Sequence, residues 1–356
     1  ELANYGGTVE GDTFPVTATV DGKSFTVDNK GNVTSTGSSD QTPTEQGTLG
    51  TVTGSETKNT TVKDSLGNQV VVPAGFKVVN KDANVTDGIV VEDVSHSATA
   101  GSQFVWIPVG DVIKDSAGNK ETITLGRYVF NADESGSVNT ELSKTEPGDQ
   151  LKTSSSASNY FIEGLKDSTT SNTHAKDIED FKNKVTNTTH GYYIGRYESR
   201  KNGTQVTVKA SDTVYNNITQ PDAATVSRGM YSSDSNFESD LMNSYAWDTA
   251  IVFLQKFDNR ANKTKPYSQQ NSLNDSLASQ GTNNLSDASK KDVICNVYDM
   301  ASNCVEWTTE TSSLSDIPCT SRGGFYINSD YYTSLRFSYG TTLSYDCISF
   351  RTLLYM

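Results

Sequence analysis

Nucleophilic or metal chemistry in this chain would have to come from four cysteines and three histidines. Cys295, Cys304, Cys319 and Cys347 all fall from residue 295 onward without a C-x-x-C pair, and His96, His174 and His190 are scattered. Neither pattern has the short spacings that zinc ligands use, so a zinc site has little support. The four thiols form two disulfides, with three pairings open, or stay reduced and buried. Cys304 and Cys319 either close a bridge across one hairpin-like excursion, or Cys304 is a small core residue. Side chains suited to recognition are densest elsewhere, at Tyr326, Asn328, Asp330, Tyr331, Tyr332, Ser334, Phe337, Tyr339, Ser344, Tyr345 and Asp346. Tyrosine supplies a rigid amphipathic contact, and Ser, Asn and Asp supply adaptable hydrogen bonds at low entropic cost. Core strands would be Val and Ile, so these residues are read as a ligand-binding set. The plainer alternative is a Tyr-rich edge that decorates a surface.

The elements that must hold this set follow from composition and pattern. At 356 residues the chain is long enough for one large domain and a smaller one. Its 34% hydrophobic content and abundant Asn, Ser, Thr, Asp and Gly suit a β-rich fold with long solvated loops rather than a helix bundle. Alternating runs at 14–20 and 24–27 flank Asp21-Gly22, a hairpin signal, and another turn follows at Lys30-Gly31-Asn32. Residues 1–35 are therefore expected to form a small β-rich module, a stalk or attachment element through which copies of the chain would associate. Residues 36–60 are almost all Ser, Thr, Gly, Gln and Glu, which predicts a linker. The main domain is expected over 61–356. Strands are predicted at 69–72, 76–79, 88–92 and 104–108, and helices at 176–185 and 236–257. In the second helix Phe237, Leu241, Met242, Tyr245, Ala246, Ala250, Phe253 and Leu254 recur at helical spacing. An Asn/Ser-rich surface loop is expected over 268–290.

A net charge of −14 excludes nucleic acid as the partner, because binding a phosphate backbone requires clustered Lys and Arg. No run approaches the roughly 20 apolar residues that span a bilayer, so no membrane insertion is expected. The chain opens at Glu1 without a signal segment and is read as a mature or trimmed product whose anchor has been removed.

Seven segments occur in a telling order: Phe104-Val-Trp-Ile-Pro-Val-Gly110, Gly191-Tyr-Tyr-Ile-Gly-Arg-Tyr-Glu198, Ala246-Trp-Asp-Thr-Ala-Ile251, Asn296-Val-Tyr-Asp-Met-Ala-Ser-Asn303, Val305-Glu-Trp307, Arg322-Gly-Gly324 and Ser349-Phe-Arg351. Together they resemble the formylglycine-generating enzyme (sulfatase-modifying factor) family, across about residues 102–356. The resemblance implies an α+β, C-type-lectin-like domain following the small β-rich N-terminal module. It implies that Trp106, Tyr193, Trp247, Trp307 and Phe350 fill the core and that Glu198, Glu306, Arg322 and Arg351 form partly buried ion pairs. The family's oxidase activity uses two cysteines just after the RGG motif, which bind copper as thiolates. Here the residues from Phe325 to Thr333 include no cysteine, and Cys347, the lone downstream thiol, follows Asp346 rather than a positive charge. No enzyme activity and no cofactor are expected, and a copper-dependent oxidase is the lesser alternative. Where family members carry structural calcium, Asp299, Asn303 and Glu306 are the oxygen ligands it would take. Other departures are Ser302 for the family's glycine, Val305 for its aromatic residue, and Ser349 for the glycine of its GFR.

The terminal segment is also similar to that of the variable proteins of diversity-generating retroelements. In these a lectin-like domain of the same family ends in a stretch mutagenised at adenines, so that Asn codons become mostly Tyr, Asn, Ser, Asp and Phe. The closing Ser349-Phe-Arg-Thr-Leu-Leu-Tyr-Met356 resembles the invariant end after such a region. This implies a variable binding segment over about 322–348 of a non-catalytic receptor or adhesin. The protein would be extracellular or cell-surface, with a protein ligand on another cell, phage or host surface. The alternative is a pilus- or phage-tail-like structural subunit with a lectin-fold tip.

Overall fold

The computed structural model describes residues 44–130, 138–141, 178–210, 213–260, 265–270, 292–311, 316–324, 326 and 330–356, together with three earlier strands. Two compact units emerge, Glu1–Thr42 and Pro43–Met356. In the first, Val16–Val20 pairs antiparallel with Lys23–Val27, and Val33–Ser35 adds to the same strand. Val20 faces Lys23 across a two-residue gap, the spacing that Asp21-Gly22 predicts.

The stretch expected to be a linker divides. From Thr44 on it lies in the larger unit: Thr44–Thr48 pairs parallel with Thr60–Lys63, which pairs with Gln69–Val72. Leu49 and Val52 are buried in the core, and Asn59 ties two loops together, donating to the Asn236 carbonyl (2.6 Å) and accepting from the Ala74 amide (3.1 Å). Strand pairing, two apolar anchors and a bonded Asn together hold this polar run.

Ten strands carry the functional argument: β1 Phe76–Val78, β2 Val90–Asp93, β3 Gln103–Pro108, β4 Gly191–Gly195, β5 Glu238–Leu241, β6 Val305–Thr311, β7 Cys319–Arg322, β8 Arg336–Tyr339, β9 Ile348–Phe350 and β10 Thr352–Tyr355. The central sheet is antiparallel in the order β5-β10-β4-β3-β2-β1, and the second runs β8-β7-β6-β9 with β6 and β9 parallel. Both central faces are covered. From β4, Tyr192 donates to the Ala246 carbonyl (2.6 Å) on one side and Tyr193 to that of Val71 (2.9 Å) on the other, as the two-residue period of a strand requires. This is why β3 and β4 read as nearly continuous apolar runs. Trp106, Tyr193, Trp247, Trp307 and Phe350 are all fully buried, filling the core as expected.

Three α-helices lie among the described residues: α1 Ile178–Asn183, α2 Gln220–Gly229 and α3 Ser244–Lys256. The predicted 236–257 helix is shorter than expected. Residues 238–241 form β5, which pairs with β10, and the helix starts only after Asn243, whose side chain accepts from the Ala246 amide (2.8 Å). Phe237 and Leu241 fit helical spacing, but backbone pairing with the C-terminal strand overrides it. α3 packs against β3 and β6 and is buried nearly all round, Asp248 included. The resulting class is mixed and sheet-rich. No helix among the described residues is long and apolar enough to cross a membrane.

Candidate functional site

Beneath the C-terminal segment lies a largely buried cluster of five charged side chains, four drawn from regular elements and one from a connecting stretch. Asp248 comes from α3, Glu310 from β6, Arg322 from β7, Arg336 from β8 and Arg127 from the stretch before Tyr128. Arg322 contacts Asp248 at 2.5 Å and Glu310 at 2.9 Å, Arg127 reaches Glu310 at 2.7 Å, and Arg336 bonds Glu310 at 2.6 Å and also Asp248. Burial alone would raise the Glu310 carboxyl, but Arg336, Arg322 and Arg127 together hold it far below the usual carboxylate range. A second knot joins the sheets. Arg351 bonds Glu306 through two nitrogens (2.6 and 3.1 Å) and donates to the carbonyls of Gly195 (2.7 Å) and Tyr298 (2.8 Å). The expected ion pairs of Glu306, Arg322 and Arg351 are thus present. Glu198 differs: it accepts from the Asn303 side chain and from the Cys304 amide (3.1 Å). Burial, with Glu306 and Asp299 nearby, pushes its carboxyl well above the ordinary range.

On this base the segment presents an aromatic string. The ring centroids of Tyr331 and Phe337 lie 5.4 Å apart, those of Phe337 and Tyr339 4.9 Å, and Tyr339 meets buried Trp307 edge-on at 5.6 Å. Along β8 the two-residue period turns Arg336 toward the charged cluster and sets Phe337 and Tyr339 on the other face. Phe337 and Tyr345 are 41% and 51% exposed, large values for such side chains. Asp330, Ser344 and Asp346 are exposed, and Tyr326, Tyr331, Tyr332 and Tyr339 are part-exposed. Burial, then the nearby Asp346, pushes the Tyr326 phenol up to about 12.

The scaffold grips this segment mainly by its backbone. Trp247 Nε1 donates to the Thr333 carbonyl (3.0 Å), and Arg322 to those of Ser334 (3.3 Å) and Leu335 (3.1 Å). The Asn217 amide donates to the Tyr345 carbonyl (2.9 Å), Asn216 Nδ2 to that of Asp346 (2.6 Å), and the Val305 amide to that of Cys347 (3.1 Å). Side chains of the segment anchor it too. Thr333 Oγ1 donates to the Gln270 carbonyl (3.0 Å), Ser334 Oγ to that of Ser268 (2.8 Å), and Arg336 enters the charged cluster.

The predicted binding residues therefore separate. Ser334 turns inward and is buried, donating to the Ser268 carbonyl, while Asn328 lies outside the described residues, as do residues 271–290 of the expected loop. Arg336 was missed. Its partners are remote in sequence, and a lone Arg among Tyr and Ser carries no local signal. The helix α2 was missed as well, although Thr219 caps it, with Pro221 and Asp222 in the first turn, a start signal the sequence does show.

All four cysteines are free thiols, with Cys304 and Cys319 buried, so Cys304 is the small core residue and no bridge joins it to Cys319. Burial raises every thiol, Cys319 to about 12, and none has the electropositive setting that makes a reactive thiolate. No cysteine lies from residue 325 to 333, the stretch that follows Arg322-Gly-Gly324. Of the three residues expected near calcium, Glu306 spends both oxygens on Arg351, while Asp299 accepts from Ser302 (3.1 Å) and Asn303 donates to Glu198. Among the described residues no group of three or more His, Cys, Asp or Glu side chains converges as a metal ion would require.

A separate polar cluster lies at the end of β2. His96 Nδ1 faces Asp93 Oδ1 at 2.9 Å and Nε2 faces Asp234 Oδ2 at 3.0 Å, within rings of Phe76, Tyr231 and Phe237. Two carboxylates on two ring nitrogens favour the imidazolium. The bond to Asp93 outweighs burial and raises the His96 pKa above 6.5. Its stabilisation is therefore full below pH 6.5 and is lost as pH rises through the higher folded value. Asp93 is lowered, burial being outweighed by His96 and Thr99, so its share is lost as pH falls through its depressed value. His96→Asn is expected to cost about 1–3 kcal/mol near pH 6, and the deficit should shrink by pH 9. Urea titrations at both pH values would measure this; an equal deficit at the two would contradict an imidazolium tie.

No protein-family model matches this sequence, and no curated protein matches it. Among solved structures, the crystal structure of CarF is similar at 16% identity over 47% of this chain and 87% of that one, with a TM-score of 0.33. PvdO from Pseudomonas aeruginosa is similar at 10% identity over 72% and 95%, with a TM-score of 0.38. Likeness of that order carries no inference about fold or function, which must come from the site itself.

Proposed function

We propose that this chain is a non-catalytic, surface-displayed ligand-binding protein, a receptor or adhesin built on a C-type-lectin-like domain of the formylglycine-generating-enzyme type. Its C-terminal segment is the ligand face and is diversified by a retroelement. The observation that carries the reading is the way the segment is held. A scaffold that holds the segment through its carbonyls tolerates exchange of exposed side chains, so Phe337 and Tyr345 can change while the fold persists. Exposed aromatic residues on a rigid base suit a protein ligand bound through a few buried anchors. The raised thiols and the missing cysteine pair support the absence of oxidase chemistry.

Sequencing the 3′ end of the gene across many cells of the source population tests this. Codons 331, 337, 339 and 345 are expected to vary while those of Thr333, Ser334, Arg336 and 349–356 stay fixed. Variation at Arg336 as frequent as at Phe337, or none anywhere, would remove diversification and leave at most a fixed-specificity binder. In parallel, Phe337→Ser and Tyr345→Ser should each change stability by less than about 1 kcal/mol, measured by chemical denaturation.

A further inference from the structure

We infer that Cys304 and Cys347 are an oxidisable pair, closed to a disulfide by a low-molecular-weight disulfide such as oxidised glutathione, and that this crosslink fastens the base of the C-terminal segment. The inference stands on strand register and goes beyond the question of what the face binds. Strands β6 and β9 run parallel, with Val305 opposite Ile348, Glu306 opposite Ser349 and Trp307 opposite Phe350. One residue earlier the same register sets Cys304 opposite Cys347, and the Val305 amide donates to the Cys347 carbonyl (3.1 Å) to hold that end of the ladder. Neighbouring strands lie about 4.8 Å apart, inside the roughly 4.4–6.8 Å between Cα atoms that a disulfide spans. Cys304 Sγ lies 3.9 Å from the carbonyl oxygen of Asp346, in the peptide that leads into Cys347. The other two thiols have different surroundings. Cys295 Sγ meets the carbonyls of Thr86 (3.4 Å) and Phe257 (3.9 Å), and Cys319 Sγ meets the Gln220 side-chain oxygen (3.6 Å).

Exposure sets the order of events. Cys347 is part-exposed and Cys304 buried, so Cys347 meets the reagent first. Its thiolate attacks one sulfur of the external disulfide, which forms a mixed disulfide and releases one small thiol. Cys304 Sγ then attacks the Cys347 sulfur, the mixed S–S bond breaks, and a second small thiol leaves. The protein loses two electrons and two protons, and the reagent gains both. Burial raises both thiols, so proximity rather than activation drives the closure, and the exchange is slow at neutral pH. The place of the bridge gives it its consequence. The Tyr326 amide donates to the Asn303 carbonyl (3.0 Å), so the segment starts and ends beside the same two residues, Asn303 and Cys304.

The test incubates the folded full chain, purified reduced, with excess oxidised glutathione at pH 8, and follows it by alkylation, digestion and mass mapping. The expected product has lost two hydrogens and joins the peptide of Cys304 to that of Cys347, while Cys295 and Cys319 remain open to alkylation after unfolding. Its unfolding midpoint should rise by about 3–6 °C, the order expected from closing a loop of this length, and a dithiol reductant should reverse the rise. Cys347→Ser, at a part-exposed position, should form no crosslink and show no shift, whereas Cys295→Ser should keep both. Four alkylatable cysteines, a product that stops at glutathione on Cys347, or a bridge that involves Cys295 or Cys319 would overturn the pair. So would a Cys304–Cys347 crosslink that leaves the midpoint unchanged or lower, because a bridge that strains the ladder does not fasten the segment.

Discussion

Glu310→Gln is expected to lower the stability of the larger unit by about 3–5 kcal/mol, because breaking a buried pair leaves uncompensated charge in a dry interior. Of the five clustered side chains, three are guanidiniums and two are carboxylates. Removing the Glu310 charge leaves three cations around Asp248 alone, with Arg127, Arg322 and Arg336 each losing an ionic bond. Arg127→Met is the informative contrast. It removes the surplus cation, leaves two of each sign, and should cost less than half as much despite comparable burial. The two variants should differ in acid as well. The Glu310 carboxyl is held far below its ordinary 4.5, so its contribution is present above that value and lost as pH falls. Denaturation curves at pH 7 and pH 3.5 should show the wild type losing stability faster than Glu310→Gln. Equal costs for the two variants at pH 7 would mean that packing, not charge balance, governs the cluster.

That cluster also marks where reading the sequence ends. The strands Gln69–Val72 and Gln103–Pro108 were legible because buried apolar runs bounded by turn residues have few other uses. The core aromatics were legible from the ordered segments. Helix α3 was found, but its first turns were misplaced because Phe237 and Leu241 satisfy both a helical stripe and an edge strand, and only β10 decides between them. The proposed binding segment stood out by composition. What composition could not reveal was direction, since Ser334 and Phe337 have equal claims as contact residues until Ser268 and the alternation of β8 assign one inward and one outward. Arg336 was invisible for the same reason. Its carboxylate partners sit 26 and 88 residues away on other elements.

The second large effect is expected just after β7, where the C-terminal segment begins. A methyl group at Gly324 would overlap the Ala301 carbonyl oxygen, lie 2.7 Å from its carbon and stand 3.0 Å from the Tyr331 carbonyl oxygen. All three are backbone atoms, so no rotamer change relieves the clash. The loop around Met300 and Asn303 is itself fixed, by Asp292, which bonds the Ala301 amide (2.7 Å), and by the Tyr326 amide, which donates to the Asn303 carbonyl (3.0 Å). Gly324→Ala should therefore cost about 3 kcal/mol or more. It should also lift the start of the segment away from Trp247, whose indole donates to Thr333. Gly340→Ala lies in the same segment, where the added carbon would meet only the Asp316 carbonyl oxygen at an ordinary 3.6 Å; its effect should stay within about 1 kcal/mol. Chemical denaturation with tryptophan emission of the native state separates the outcomes. A destabilised Gly324→Ala with red-shifted emission, beside an unaltered Gly340→Ala, is the expected pair. Wild-type stability and emission in Gly324→Ala would show that the segment does not depend on this close approach, and that the backbone grip lies in the hydrogen bonds from Trp247, Arg322, Asn216, Asn217 and Val305.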